Sequence, residues 1–501
     1  MSTIAVIGSG FSGLSAAAYL GKAGHEVLVF EKNDTVGGRA RQLNANGYVF
    51  DMGPSWYWMP EVFEDFFTDM NTTVTKQYNL TLLDPGFVIN FGEGGVVEIP
   101  AKYEELRNLF ESIEPGSAVR LDAFMKEAAY KYKTGMQKMA QMPGLSVMEF
   151  LDMDVISGVF RMQLFTGFSK HVRKYFKHPQ LIALMEFPVL FLGAMPSETP
   201  ALYSLMNYAG LKLGTWYPGG GFGSVVNAMK ETVVRNGGTF YFNAPVEKIE
   251  TLHNSVTSIR VNGESIRVDA VVSSADYHFT EQNLLDKEYR NYDEAYWNSR
   301  TLAPSALIYY IGVSKKIPGL KHHTLFFESP LESHSQDIYV NPKWPENPLF
   351  YLCCPSKTDK TVAPEGHENL FFLMPLAPGI KDEPELREEF FNKMLERVEK
   401  LTGCEIKMSI DYKQSYCVKD FINDYHSYKG NAYGLANTLR QTAILKPKMK
   451  NRKLKNMFYT GQFTVPGPGV PPSIISGKIV SSLVDKHIST AFKNKSYEAA
   501  L

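Results

Sequence analysis

Residues 3–13 read Thr3-Ile-Ala-Val-Ile-Gly8-Ser-Gly10-Phe11-Ser12-Gly13, an apolar strand running into a Gly-x-Gly-x-x-Gly turn. Leu14 to Ala23, rich in Ala and Leu, reads as the helix that follows. Glu26 to Phe30 reads as a second strand, ending at Glu31. The order strand, glycines, helix, strand, acid predicts a βαβ unit that binds the ADP half of a dinucleotide. Gly8 permits the tight turn, Gly10 leaves room for a pyrophosphate beside the backbone, and Gly13 lets helix and strand approach. Phe11 and Ser12 open the helix, whose free N–H groups and partial positive charge suit a phosphate. Glu31 lies about 20 residues past the glycines, where an acid accepts hydrogen bonds from a ribose.

Glu31-Lys32-Asn-Asp-Thr-Val-Gly37-Gly38-Arg39-Ala40-Arg41 follows directly. A second Gly-Gly just after the acid resembles the extended motif of flavoproteins related to amine oxidases and carotenoid desaturases. That resemblance implies FAD rather than NAD, a loop lying along the cofactor from Lys32 to Gly38, and an arginine beside it at Arg39. Asp51-Met-Gly53-Pro54 resembles the turn that passes close to the flavin in the same group.

Bulk properties set limits. A chain of 501 residues exceeds a single core, so more than one domain is expected. The net charge of −1 gives no electrostatic support for binding nucleic acid. Cys353, Cys354, Cys404 and Cys417 show no CxxC spacing, so neither a disulfide framework nor a metal site is expected and buried reduced thiols are. The chain enters its first strand at once, so no signal peptide is read, and no run of about 18 apolar residues suggests a membrane-spanning helix. A cytoplasmic protein is expected. The aromatic stretch Pro54-Ser-Trp56-Tyr57-Trp58-Met59-Pro60 reads either as the lining of an apolar channel or as a packed core corner.

The fold class is α/β, with a Rossmann-like cofactor domain that is discontinuous in sequence. Segments 1–85, 214–275 and 426–501 are assigned to it, and 86–213 and 276–425 to a substrate-binding, membrane-facing domain of mixed sheet and helices. Helical periodicity covers Tyr103 to Met142, Lys170 to Met195 and Pro200 to Leu213. A helix from Ser224 to Asn236 ends at Gly237-Gly238, and Asn262-Gly263 suits a hairpin turn. Strands are expected at Leu307–Val313, Thr324–Phe327, Leu349–Cys353 and Asn369–Leu376, then a helix from Glu385 to Thr402. The end of the chain returns to the cofactor: a strand to Tyr459, a turn at Gly461, a Gly/Pro-rich loop to Ser473 and a helix from Ile474 to His487. A loop feeding a helix N-terminus suits a flavin carbonyl or ribityl chain.

Tyr459-x-Gly461-x-x-x-x-Pro466-Gly467-x-Gly469-Val470-Pro471 looks like the hallmark of bacterial-type carotenoid desaturases. Phe191-Leu-Gly193-Ala-Met-Pro196 with Trp216-Tyr-Pro218, His322-His323-Thr-Leu-Phe-Phe, Pro355-Ser-Lys-Thr358-Asp359 with Ala363-Pro364, and Gly430-Asn-Ala432-Tyr-Gly434 with Gln441 fit the same pattern in order. The chain is identified as a member of that family, phytoene desaturase and its close relatives. The resemblance implies noncovalent FAD, held in part by Gly461, Val470, Pro471 and Ser473 and by the backbone of Val246. It also implies a forty-carbon polyene taken from the membrane, with hydride passing to the flavin and a proton leaving the adjacent carbon. The leading expectation is stepwise conversion of phytoene to lycopene. Alternatives are a later desaturase acting on a hydroxylated or monocyclic carotenoid (3,4-desaturation), an isomerase or saturase of the same fold, and a flavin-binding escort protein. Quinone or oxygen suits as electron acceptor, because only one Gly-x-Gly-x-x-Gly is present. Peripheral contact with the inner face of the membrane is expected. No catalytic residue is assigned; His322 and His323 read as a base, as tunnel lining or as structural histidines. The basic helix around Lys170, Arg173 and Lys174 reads as lipid-facing or solvated. The run Lys446, Lys448, Lys450, Arg452, Lys453, Lys455 reads as a charged surface loop.

Overall fold

The computed structural model describes residues 1–145, 163, 166–438 and 440–498; the remainder of the expected 86–213 segment lies outside these. Its organising element is a five-stranded, all-parallel sheet ordered Met457–Tyr459, Ala270–Ser273, Thr3–Ile7, Glu26–Phe30, Thr239–Tyr241. The sheet is assembled from the two ends and the middle of the chain. Ala270–Ser273 is buried at every position, as a strand covered on both faces must be. The helix Phe11–Lys22 crosses one face and packs against the C-terminal helix Val470–Glu498. Small residues make that approach possible: a Cβ on Gly477 would lie 2.5 Å from the Ser12 carbonyl oxygen.

A seven-stranded mixed sheet forms the second body. Its order is Ile410–Tyr416, Ser305–Val313, Glu368–Leu376, Phe350–Cys353, His323–Phe326, Phe87–Asn90, Val96–Ile99. All neighbours are antiparallel except His323–Phe326 with Phe87–Asn90. One face carries Leu307, Tyr309, Ile311, Leu370 and Phe372 against the helix Pro384–Thr402 through Phe390, Phe391, Met394 and Val398. The opposite face carries Ala306, Ile308, Tyr310, Tyr351 and Cys353 and merges with the core of the parallel sheet. Successive side chains alternate across a strand, so the register alone decides which residues look toward the first body.

Two expectations change. The single helix read from Lys170 to Met195 is divided into Phe168–Tyr175, Pro179–Glu186 and a 3-10 turn at Phe187–Leu192. Pro179 and Pro188 each lack an N–H and sit where a new turn begins, which explains both breaks. The last helix starts at Val470 rather than Ile474, so its first turn belongs to the hallmark loop itself. Among the described residues no helix is long and apolar enough to cross a membrane.

Candidate cofactor and substrate site

A cavity opens at the carboxyl ends of the parallel strands, where Ile7, Phe30, Ser274 and Gly461 all line it. The three fingerprint glycines divide the work. Gly8 has φ +91°, a conformation that favours glycine, and its N–H donates to the Phe30 carbonyl at 2.8 Å. A Cβ on Gly10 would meet nothing within 4 Å, so its face is open to the cavity. A Cβ on Gly13 would lie 2.1 Å from the Gly8 carbonyl oxygen, so Gly13 serves close packing and does not line the cavity. Phe11 and Ser12 line it at the start of their helix.

The second glycine pair lies against the first. Gly37 N–H donates to the Ser9 carbonyl at 2.9 Å, and a Cβ on Gly38 would sit 3.2 Å from Gly10 Cα. Glu31 is buried and oriented from both sides. One carboxylate oxygen accepts from the Ser9 N–H at 2.9 Å and the Ser9 hydroxyl at 2.7 Å, and the other accepts from the Asn33 N–H and side-chain amide at 3.0 Å each. Lys32 lines the cavity and donates to the Asn423 carbonyl at 2.5 Å; burial lowers its pKa, opposed by Asp424 and Glu31.

Arg39 is half-buried on the cavity wall. Its guanidinium donates to Ser427 Oγ at 3.1 Å, stands 4.9 Å from the centre of the Tyr425 ring, and keeps Nε without a partner among the described residues. Burial lowers its pKa, and the nearby Asp276 carboxylate opposes that shift. Arg41 instead pairs with Asp424 at 2.5 Å. Gly53 and Pro54 line the cavity, and a Cβ on Gly53 would lie 2.6 Å from the Arg39 carbonyl oxygen, so that turn is wedged against the arginine's backbone.

Val246, Gly461, Val470 and Ser473 complete the expected set on the wall, whereas Pro471 does not line it. Gly461 has φ +106°, and a Cβ there would be 3.0 Å from Ser12 Oγ. The N-termini of Phe11–Lys22 and Val470–Glu498 therefore face one cavity, a doubly electropositive rim suited to a pyrophosphate and a flavin carbonyl. These residues fit FAD: an open glycine face, an oriented acid for a ribose, two helix starts and an arginine with a spare N–H. Sequence reasoning missed Ala306, Ile308 and Leu373 of the mixed sheet, and His426 and Tyr433. Tyr433 lay inside the quoted Gly430-to-Gly434 motif, whereas the strand residues carried no signal.

Two further polar clusters stand nearby. His323 and Cys353 are register partners across two strands. His322 Nδ1 lies 2.7 Å from Thr358 Oγ1, and His323 Nδ1 lies 2.6 Å from the Tyr351 hydroxyl. Both Nε2 atoms are buried without a hydrogen-bond partner among the described residues. One nitrogen of each ring and Cys353 Sγ lie within 4.8 Å of one another, a proximity the 30-residue separation in sequence concealed. Burial pushes His322 down to about 3 against the opposing Asp359 charge, and pushes His323 well below the ordinary value. Trp56 stacks on His323 with ring centres 4.3 Å apart, so the aromatic stretch forms a packed wall around this pair.

Lys446 corrects an expectation. It is buried, not on a charged surface loop. Its amine and Asn437 Oδ1 both lack partners among the described residues, and both side chains reach the space beside Gly467. His171 is buried as well, while Lys170, Arg173, Lys174 and Lys177 line a shallow surface depression, with Arg173 paired to Glu186.

The family model described as "Flavin containing amine oxidoreductase" matches residues 11–484. A carotenoid 3,4-desaturase of Haloarcula japonica is 40% identical over 476 residues, covering 95% of this chain and 96% of that one. A zeta-carotene-forming phytoene desaturase of Myxococcus xanthus is 29% identical over 485 residues, covering 95% and 93%. Among solved structures, an oxidoreductase from Methanosarcina mazei superposes with a TM-score of 0.62 at 17% identity, covering 96% of this chain and 100% of that one, which speaks to the fold. Cyclohexylamine oxidase from Brevibacterium oxydans does so with a TM-score of 0.60 at 15% identity, covering 97% and 99%. With an FAD-shaped site and full-length likeness together, the chain belongs to the flavin-containing amine oxidoreductases and, within them, to the carotenoid desaturases, FAD-dependent oxidoreductases acting on carotenoids.

Proposed function

We propose that this desaturase performs 3,4-desaturation on a hydroxylated or monocyclic carotenoid rather than the conversion of phytoene to lycopene. The observation that carries the reading is the difference in likeness: 40% identity to a carotenoid 3,4-desaturase against 29% to a phytoene desaturase over similar lengths. FAD, when bound, supplies the acceptor for hydride. The substrate loses hydrogens from adjacent carbons, one with its electron pair and one as a proton, and a C=C bond forms in conjugation with the polyene. The chain's part is to hold the cofactor through Glu31, Arg39 and the two helix starts. It also presents the reacting carbons on the face carrying Ala306, Ile308 and Leu373, away from water.

The same reading divides the chain into a cofactor domain (1–85, 214–275, 426–501) and a substrate domain (86–213, 276–425), supported by the membership of the two sheets. It places the exposed amines of Lys170, Lys174 and Lys177 on the inner face of a membrane, with quinone or oxygen as terminal acceptor. The test is turnover by the FAD-loaded protein in liposomes carrying phytoene, or a monocyclic or hydroxylated carotenoid with saturated carbons at positions 3 and 4. The expected result is a red-shifted spectrum with one of the latter and none with phytoene; accumulation of lycopene from phytoene would refute it.

A further inference from the structure

The unpartnered imidazole nitrogens of His322 and His323 stand on the side of the mixed sheet that walls the cofactor cavity. Registers place Ile308, Leu373, Tyr351 and Leu325 in one row across four strands, and Tyr310, Phe371, Cys353 and His323 in another row on the same face. Ile308 and Leu373 line the cavity. His323 is two strands beyond Leu373 and two residues along, roughly 12 Å at ordinary strand spacing and rise. Ser55 joins the two places: it follows the cavity-lining Pro54, and its hydroxyl lies 2.9 Å from the Tyr351 hydroxyl, which in turn meets His323 Nδ1.

Thr358 and the Asp359 carboxylate stand beside His322, and aromatic rings make up much of the rest. Trp56 covers His323, Tyr217 meets His322 edge-on at 4.8 Å, and Phe87 and Phe187 continue from Trp56. His322 is 5% exposed and His323 is 0% exposed, so two buried nitrogens stand without a hydrogen-bond partner among the described residues. Leaving buried polar groups unsatisfied is unfavourable, and a native site that keeps two of them together is organised for something that completes them. Burial keeps both rings neutral, so each Nε2 is a donor in one tautomer and an acceptor in the other. A hydroxyl, which gives one proton and accepts another, satisfies one ring of each kind. A hydrocarbon satisfies neither.

We propose that His322 and His323 are the specificity-determining pair of this desaturase, seating a hydroxyl at the end of the polyene between their Nε2 atoms. The assignment rests on the function proposed above and adds which residues read the oxygen. It would also fix register along a uniform polyene, because the oxygen is the point at which sliding costs a hydrogen bond. A site built to bond a hydroxyl discriminates against the analogue lacking it, by about tenfold for each bond lost.

The test compares kcat/KM for a hydroxylated carotenoid and for its counterpart lacking only the hydroxyl, in liposomes with excess FAD. His322→Asn and His323→Asn place an amide where Nδ1 stands, keeping the contacts to Thr358 and Tyr351 while removing Nε2. Wild type is expected to prefer the hydroxylated substrate, and the double variant to lose about tenfold to a hundredfold on that substrate, chiefly in KM, with little change on the hydrocarbon. His323→Gln, whose amide reaches toward the Nε2 position, should restore part of the preference. If the double variant fails to load FAD, the two single variants carry the comparison. A wild-type preference that survives unchanged in a folded, FAD-loaded variant overturns the histidine assignment and leaves the proposed function standing. Equal turnover of both substrates by wild type overturns the histidine assignment as well, whereas the proposed function falls only if phytoene is carried to lycopene. One equivalent of zinc or copper in the purified enzyme, lost with His323→Asn, would assign the pair and Cys353 to a metal and overturn the proposal as well.

Discussion

Replacing Lys446 by Met should stabilise this protein, and by an amount that depends on pH. The amine is buried, without a partner among the described residues, and burial alone pushes its pKa from 10.5 down to about 7. Below pH 7 the native state must carry a desolvated ammonium that the unfolded chain hydrates freely. That difference is worth about 5 kcal/mol. Between pH 7 and 10.5 the unfolded chain binds a proton that the native state has shed, so this site makes wild-type stability rise with pH across that window. At pH 9 the residual cost has fallen to about 2 kcal/mol. Methionine has nearly the same length and no charge, so Lys446→Met should gain the larger amount at pH 6 and the smaller at pH 9. For a chain of 501 residues these translate to about 5 °C and 2 °C in melting temperature. Lys446→Arg, which cannot shed its proton, should destabilise at pH 9, where the wild-type amine is neutral, and far less at pH 6. The assay is thermal unfolding with excess FAD, followed by tryptophan and flavin fluorescence. A Met variant that melts lower than wild type at pH 6, or by the same difference at both values, would show that the amine has a partner and refute the reasoning.

Three other outcomes follow from the geometry. Gly13→Ala drives a Cβ into the Gly8 carbonyl oxygen, backbone against backbone, and should cost about 3 kcal/mol or more, leaving little soluble FAD-loaded protein in an expression trial. Glu31→Gln turns one accepting oxygen into a donor facing either the Ser9 or the Asn33 groups; FAD affinity, read from the recovery of free-flavin fluorescence on dilution, should weaken by about tenfold to a hundredfold. Asp51 accepts from the first amides of the helix Phe222–Arg235, yet burial raises its carboxyl to about 6. Its native pKa lies above its unfolded one, so its contribution to stability falls as pH rises from about 4 to 6, and Asp51→Asn should flatten that slope in a melting-temperature series.

What the sequence revealed is what local chemistry dictates. Gly8, Gly10 and Gly13 have distinct duties because a turn, an open face and a helix–strand contact each exclude a side chain for a different reason, and all three reasons act within a few residues. The strand ends at Glu31, Ser274 and Gly461 converge because parallel strands bring their carboxyl ends to one edge. His323 and Cys353 are different. They meet only because the register of two antiparallel strands places them opposite each other, and register is settled by which face of the whole sheet is buried. Lys446 misled for a related reason: a run of lysines and arginines is ordinarily solvated, and the tertiary fold alone decides that the first of them turns inward beside Gly467. Both buried groups belong to the second kind of information, and both are polar atoms that only the assembled fold takes away from the surface. A cofactor fingerprint can be shared across a family because phosphate and ribose are constant. Chemistry common to the family is therefore written in adjacent residues, whereas the surroundings of His322 and His323, adjacent though the two are, become visible only once the sheet sets Tyr351 and Cys353 beside them.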